Sequence, residues 1–166
     1  MGILISTEDM YNLMLLTQCA YDASLPGGWL NTLLPLGATR FSKVCIKTLT
    51  LSDTDQCLKM LALPKDNVET LIFPILNVEE RKRVGEKGRN GGLQLSAYDE
   101  GGRIWNLIFK YWDTSKTYVL IEDWKTMVDT NGWEVEVDTL SLWSFRFGCN
   151  DKLCFAFCCD GKRKCL

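Results

Sequence analysis

Residues 93–111 can satisfy their own pattern in one way. Leu93, Leu95 and Ala97 alternate with Gln94, Ser96 and Tyr98, and Asp99-Glu100-Gly101-Gly102 supplies a turn. The return segment, Ile104 to Tyr111, sets Trp105, Leu107, Phe109 and Tyr111 on one face. Alternation of period two on both sides of a glycine turn predicts an antiparallel hairpin. Other short segments carry the same signal: Val44–Leu49, Met60–Leu63 ending at Pro64, Tyr118–Ile121, Thr139–Phe147 and Leu153–Cys158. Asp66 with Glu69 is expected to open a short helix through Val68, Leu71 and Ile72. A second helix, 122–128, gathers Trp124, Met127 and Val128 on one side, with Gly132 just beyond it. Seven short strands and two short helices within roughly 115 residues predict a mainly β domain, a barrel or a sandwich.

The flanks differ in character. Residues 1–42 read as an appendage in which Ser6 is expected to cap a helix with Asp9, and Met10, Leu13, Met14 and Thr17 fall on one stripe. Pro26-Gly27-Gly28 ends that helix and Pro35-Leu36-Gly37 breaks the chain again. The stripe is expected to dock on the main domain or, failing that, to bind a protein partner or a second copy. Residues 79–92, with Gly85, Gly88, Gly91 and Gly92 among charges, predict a mobile loop. Residues 160–166 are a basic tail.

Composition narrows the chemistry. At 166 residues, with 46% hydrophobic and 24% charged side chains, the chain suits one globular domain. Its longest aliphatic run, Leu13-Met14-Leu15-Leu16, is too short for a membrane helix, and Glu8 and Asp9 stand where a secretory signal needs basic residues. There is no histidine, which removes Ser-His-Asp and Cys-His catalysis and His-Zn sites together. The eight cysteines include no C-x-x-C pair, so most are expected to serve as small core hydrophobes. Adjacent Cys158 and Cys159 should point to opposite faces of a strand.

Charge is segregated along the chain. Arg81, Lys82, Arg83, Lys87 and Arg89 face only Glu86 within their run, whereas 122–138 holds Glu122, Asp123, Asp129, Glu134, Glu136 and Asp138 against Lys125. A basic edge of this kind suits a polyanion. Asp123-Trp124-Lys125, with Asp99 or Asp113 upstream, has the D-x-K spacing of metal-dependent nucleases, a minor reading because Trp124 suits a core anchor. No cofactor motif is present: Gly85–Gly88 lacks the strand, lysine and serine of a phosphate loop. Binding has better support. Two polar arms, Thr50–Lys59 and Trp112–Thr117, interrupt β-structure. They offer the hydroxyls of Ser52, Thr114 and Ser115 and the ammonium groups of Lys59 and Lys116 to phosphate oxygens, with Trp112 able to pack on a sugar or a base methyl.

Taken in order, these residues resemble the plant B3 DNA-binding domain. The opening Lys47-Thr-Leu-Thr-Leu-Ser-Asp53 and Leu61-Ala-Leu-Pro-Lys65 are similar to the start of that domain, as are Asp99, Gly101 or Gly102 and Trp105. Tyr111-Trp-Asp-Thr-Ser-Lys-Thr-Tyr-Val-Leu120 and the Trp124–Val128 helix follow in the same order. The closing Leu142-Trp-Ser-Phe-Arg146 and Leu153-Cys-Phe-Ala156 resemble a divergent branch of B3 domain-containing proteins. The likeness covers about residues 43–159. It implies a seven-stranded open pseudobarrel with two short helices, sequence-specific binding of double-stranded DNA in the major groove, transcriptional regulation and a place in the nucleus. It also implies that Ser52, Lys65, Trp112, Thr114, Ser115 and Lys116 contact DNA, with Lys59 expected to substitute as a phosphate contact beside Met60. From their charge and the glycines that follow, Arg81, Lys82 and Arg83 are expected to add non-specific phosphate contacts. Four positions depart from the family pattern: Met60 replaces an arginine, Val137 a turn glycine, Asp123 a glycine, and Met127 an aromatic. A valine where the turn needs positive φ would be strained. These departures leave open an alternative, a barrel that has lost DNA and serves as a protein-interaction module.

Overall fold

The computed structural model describes residues 33, 35, 37–148 and 150–160. The expected N-terminal helix, Cys19, Cys149, Cys165 and all of the basic tail beyond residue 160 lie outside the described residues. Seven strands form one sheet: β1 (Ala38–Thr48), β2 (Leu61–Leu63), β3 (Leu93–Tyr98), β4 (Ile104–Trp112), β5 (Thr117–Glu122), β6 (Thr139–Phe147) and β7 (Leu153–Asp160). Their order is β1-β6-β7-β3-β4-β5-β2. Every neighbouring pair is antiparallel except β3 and β7, which run parallel over Ser96–Tyr98 and Cys154–Ala156. The sheet curls into a half-barrel left open between the edge strands β1 and β2, the expected pseudobarrel.

Strand periodicity decides what each face buries. Along β7, Leu153, Phe155 and Phe157 join the larger core, which also takes Leu107 and Phe109 of β4 and the helical residues Val68, Ile72, Val84 and Trp124. Cys154, Ala156 and Cys158 face the other way into a smaller cluster around Phe41, Tyr98, Trp143 and Phe145. Cys158 and Cys159 divide between these faces as alternation requires, with Cys159 packed against the larger core. Burial pushes the thiols of Cys45 and Cys154 up to about 11, against the opposing influence of Lys47 and Lys152 respectively.

Three expectations change. β1 begins at Ala38, six residues before Val44, with irregular register where Thr39 gives way to Ser42 opposite β6. The segment after β2 opens at Lys65 behind Pro64 with no side-chain cap, so Asp66 does not start it. It runs as α1 (Lys65–Asn67), a π-helical turn Val68–Ile72 and a 3₁₀ turn Phe73–Ile75. The first half of the supposed loop 79–92 is helix α2 (Val78–Gly85). The Asn77 side chain accepts from the Glu80 amide at 2.8 Å and Glu80 accepts from the Asn77 amide at 2.9 Å, a complete capping box. The helix is also tied down from afar: Arg146 on β6 donates to both Glu80 carboxylate oxygens at 2.7 and 3.1 Å, and to the Ile75 carbonyl at 2.6 Å. Helix α3 (Trp124–Asn131) buries Trp124, Met127 and Val128 as expected. It ends on Gly132, whose φ of 65° is the left-handed conformation that glycine adopts without a Cβ penalty. No helix among the described residues is long and apolar enough to cross a membrane.

Candidate nucleic-acid interface

The first arm is built around a buried acid. Asp53, 1% exposed, accepts from Lys47 Nζ at 2.8 Å, from the Thr50 amide and hydroxyl at 2.9 Å each, and from the Ala62 amide at 3.4 Å. Lys47 also donates to the Ala62 carbonyl, so it ties β1 to β2 across the arm. From behind, the Trp124 indole donates to the Asp53 carbonyl at 2.7 Å. The helix tryptophan is therefore the arm's anchor as well as a core residue. Ser52 opens a 3₁₀ turn (Ser52–Thr54), with its hydroxyl 3.0 Å from that of Thr50. A second turn follows, in which Asp55 accepts from the Cys57 and Leu58 amides at 2.7 and 3.0 Å. Those two amides lower its carboxyl below the usual range. Lys59 is exposed, at a φ of 47°, with its amide bonded to the Asp55 carbonyl at 3.0 Å.

The second arm is the tip of the β4–β5 hairpin. Trp112 pairs with Thr117 at its base and is half-buried, while Thr114, Ser115 and Lys116 are exposed. Lys116 takes a φ of 51°, and the Ser115 carbonyl accepts from the Thr117 hydroxyl at 2.9 Å. The segment after α2 latches onto this tip: Lys87 Nζ lies 2.8 Å from Asp113, and Lys110 donates to the Gly88 carbonyl. Between them lies a groove of about 360 Å³ lined by Lys87, Lys110, Trp112, Asp113 and Thr114. Asp113 in turn raises the Lys87 ammonium above its ordinary value, through a hydrogen bond first and charge second. On α2 itself, Lys82 is exposed, Arg83 lies 3.4 Å from Glu86, and Arg81 donates twice to the Phe73 carbonyl at 2.8 and 3.1 Å.

The ladders decide which of these residues meet. β2 runs against β5 with Leu61 opposite Leu120 and Leu63 opposite Tyr118. The first arm therefore enters at the far end of β5, while the second arm lies at its start. The two arms stand at opposite ends of one sheet edge. Between them runs a half-buried strip: Ala62, Ile108, Lys110, Trp112, Thr117 and Ile121. Lys65, expected to act with the first arm, follows Leu63 and so belongs to the second arm's end. The basic run on α2 shares that end, whereas 122–138 lies at the first arm's end, where Leu49 and Asp138 are bonded amide to carbonyl at 3.1 Å.

Two of the four departures, Val137 and Asp123, fall lightly here. Positive φ in the late turn is at Glu136 (60°), not at Val137, so the valine carries no backbone strain. Asp123, at a φ of −78°, needs no glycine and accepts from the Asn106 amide at 3.1 Å. Lys125 of the same triplet pairs with Asp129 at 2.7 Å. Two organising residues were absent from the expected set, Asp53 and Lys47. The Thr50-x-x-Asp53 spacing hinted at the turn, but no local signal announced the bond from Trp124.

Comparison with known proteins adds the following. Residues 28–160 match the family model described as "B3 domain-containing protein At2g31720-like". The chain is 34% identical over 116 residues to "Putative B3 domain-containing protein At4g03170" of Arabidopsis thaliana, covering 70% of this chain and 44% of that protein. It is 30% identical over 112 residues to "AP2/ERF and B3 domain-containing protein Os01g0141000" of Oryza sativa subsp. japonica, covering 68% of this chain and 30% of that one. The chain thus spans less than half the length of either relative. A solved structure described as "Crystal structure of Arabidopsis thaliana transcription factor LEC2-DNA complex" is similar at 21% identity and a TM-score of 0.49, over 71% of this chain and 94% of that one.

Proposed function

The chain belongs to the plant B3 domain family, and we propose on that footing that it binds double-stranded DNA sequence-specifically and regulates transcription in the nucleus. The supporting observation is the pair of ordered polar projections at opposite ends of one sheet edge, joined by the strip from Ala62 to Trp112. In this reading the strip lies along the major groove and both arms reach into it. Thr114 and Ser115 offer hydroxyls to base edges, Trp112 packs on sugar or base, and Ser52, Lys59, Lys65 and Lys116 bond phosphates or bases. Arg81, Lys82 and Arg83 add phosphate attraction from α2, on the second arm's side.

The test is a selection from random duplexes followed by titration of the winner and of random DNA at low and moderate salt. Neutralised phosphates release counterions, so the logarithm of the binding constant should fall linearly with the logarithm of salt. Replacing Thr114 and Ser115 by Ala should weaken the selected duplex more than random duplex. Failure to enrich any sequence, with no salt-dependent affinity for either DNA, would overturn the proposal.

A further inference from the structure

The first arm is poorly supplied with the groups that read guanine or hold phosphate. Between Thr50 and Met60 its only cation is Lys59, set against Asp53 and Asp55. The Asp55 carboxylate is stabilised in its charged form by the two amides it accepts from. Lysine lacks the fork that bonds the two acceptors of guanine together, and its neighbour Met60 is apolar and half-buried. The Thr50 hydroxyl donates to Asp53 and faces the Ser52 hydroxyl.

What the arm does present is apolar and amide chemistry. Leu51 is 72% exposed and Leu58 is 44% exposed. Each sits in a tight, hydrogen-bonded turn: the Leu51 carbonyl accepts from the Thr54 amide at 3.3 Å, and the Leu58 amide donates to Asp55 at 3.0 Å. Gln56, exposed, lies between the same turns. Large aliphatic side chains on ordered turns lose little entropy on being covered, and their exposure in the free protein is a cost that a partner removes. In the major groove the apolar feature on a base edge is the thymine C5 methyl, and a glutamine amide matches the N6 and N7 of adenine. Both chemistries belong to one base pair.

We propose that the first arm specifies A·T base pairs, with Leu51 and Leu58 packing on thymine methyls and Gln56 available to adenine. This rests on the DNA-binding reading above and adds which bases this end of the protein selects.

The experiment compares selections by the wild-type chain and by a Leu51→Ala/Leu58→Ala variant, which removes only exposed side chains. The variant should relax at one or two A·T positions and keep the rest of its preferred site. In the wild-type duplex, deoxyuridine is then placed for thymidine at those positions, deleting the methyl alone. Affinity should fall about four-fold for each methyl deleted, the factor that corresponds to ~0.8 kcal/mol for one buried methylene-sized group. The same exchange should cost the variant nothing. A selection that relaxes at G·C positions or nowhere, or a uracil exchange without effect on the wild type, overturns the A·T assignment while salt-dependent, sequence-selective binding survives. Loss of all duplex selectivity by the wild type sinks the DNA-binding reading itself, and the assignment with it.

Discussion

At 1% exposure the Asp53 carboxylate holds Lys47, the Thr50 amide and hydroxyl and the Ala62 amide in place, so Asp53→Ala strands several donors at once. Lys47 keeps some contact with water, its side chain being 21% exposed, which moderates the penalty. The expected loss is on the order of 2–3 kcal/mol in denaturant unfolding, together with relaxed base preference at the first arm. Asp99 makes a second prediction, about pH. It is fully buried and accepts from the Arg103 amide and guanidinium, the Trp105 indole and the Asn131 amide group at 2.8–3.1 Å. Burial alone would raise its carboxyl, but those bonds outweigh burial and lower it. Its stabilising contribution is therefore complete above the unfolded value of about 3.9 and disappears as pH falls through the lower folded value. Melting temperature measured against pH should show Asp99→Asn less stable than wild type at neutral pH, with the gap closing in acid. A gap of constant width across that range would assign the turn's stability to other groups.

Among the elements, α2 shows how a local signal and a distant one combine. Its four glycines at 85, 88, 91 and 92 suggest mobility, and they do fall at or beyond the helix end. The start was legible as Asn77-x-x-Glu80, a capping box that the charge run obscured. Arg146, 66 residues further on, was not legible as its brace. Glu80, with a side chain only 13% exposed, thus serves the cap and the ion pair together. Burial would raise its carboxyl, but the bonds from Arg146 and Asn77 lower it overall. Glu80→Ala should cost on the order of 3 kcal/mol, because Arg146 is left buried without its acid. Amide exchange should quicken across Val78–Gly85 before the sheet is affected. Equal acceleration everywhere would show that the helix opens only with the whole fold.

At the scale of the whole molecule, the described residues are electrically lopsided along the strands. The second arm's end gathers Lys65, Arg81, Lys82, Arg83, Lys87 and Lys116, and the first arm's end gathers Glu134, Glu136 and Asp138 beside Asp55. Exchanging Arg81, Lys82 and Arg83 for Gln should make the salt dependence shallower by about 0.9 for each phosphate no longer neutralised, equally for every duplex. The single Lys59→Gln change at the other end should remove no more than about 0.9. A larger effect from Lys59 would place the phosphate contacts on the first arm and reverse the orientation drawn here. Association rate should fall with the triple change, since the basic end steers encounter.

Periodicity, turn glycines and helix stripes are local properties, and they determined the positions of the strands other than the first half of β1, the Leu93–Tyr111 hairpin, the buried faces of Phe109 and Trp124, and the split between Cys158 and Cys159. The order of motifs along the chain carried the family. Strand partners are different in kind, because any exposed strand edge offers the same row of amides and carbonyls. Which edges pair is decided by burial of the assembled faces, summed over residues far apart in the chain. Only the tertiary structure therefore set the two arms at opposite ends of β5, moved Lys65 to the second arm's end, and joined Arg146 to Glu80. It also bound Trp124 to Asp53, 71 residues away, because a single buried indole N–H must find an acceptor and the Asp53 carbonyl was the one the packed core brought to it.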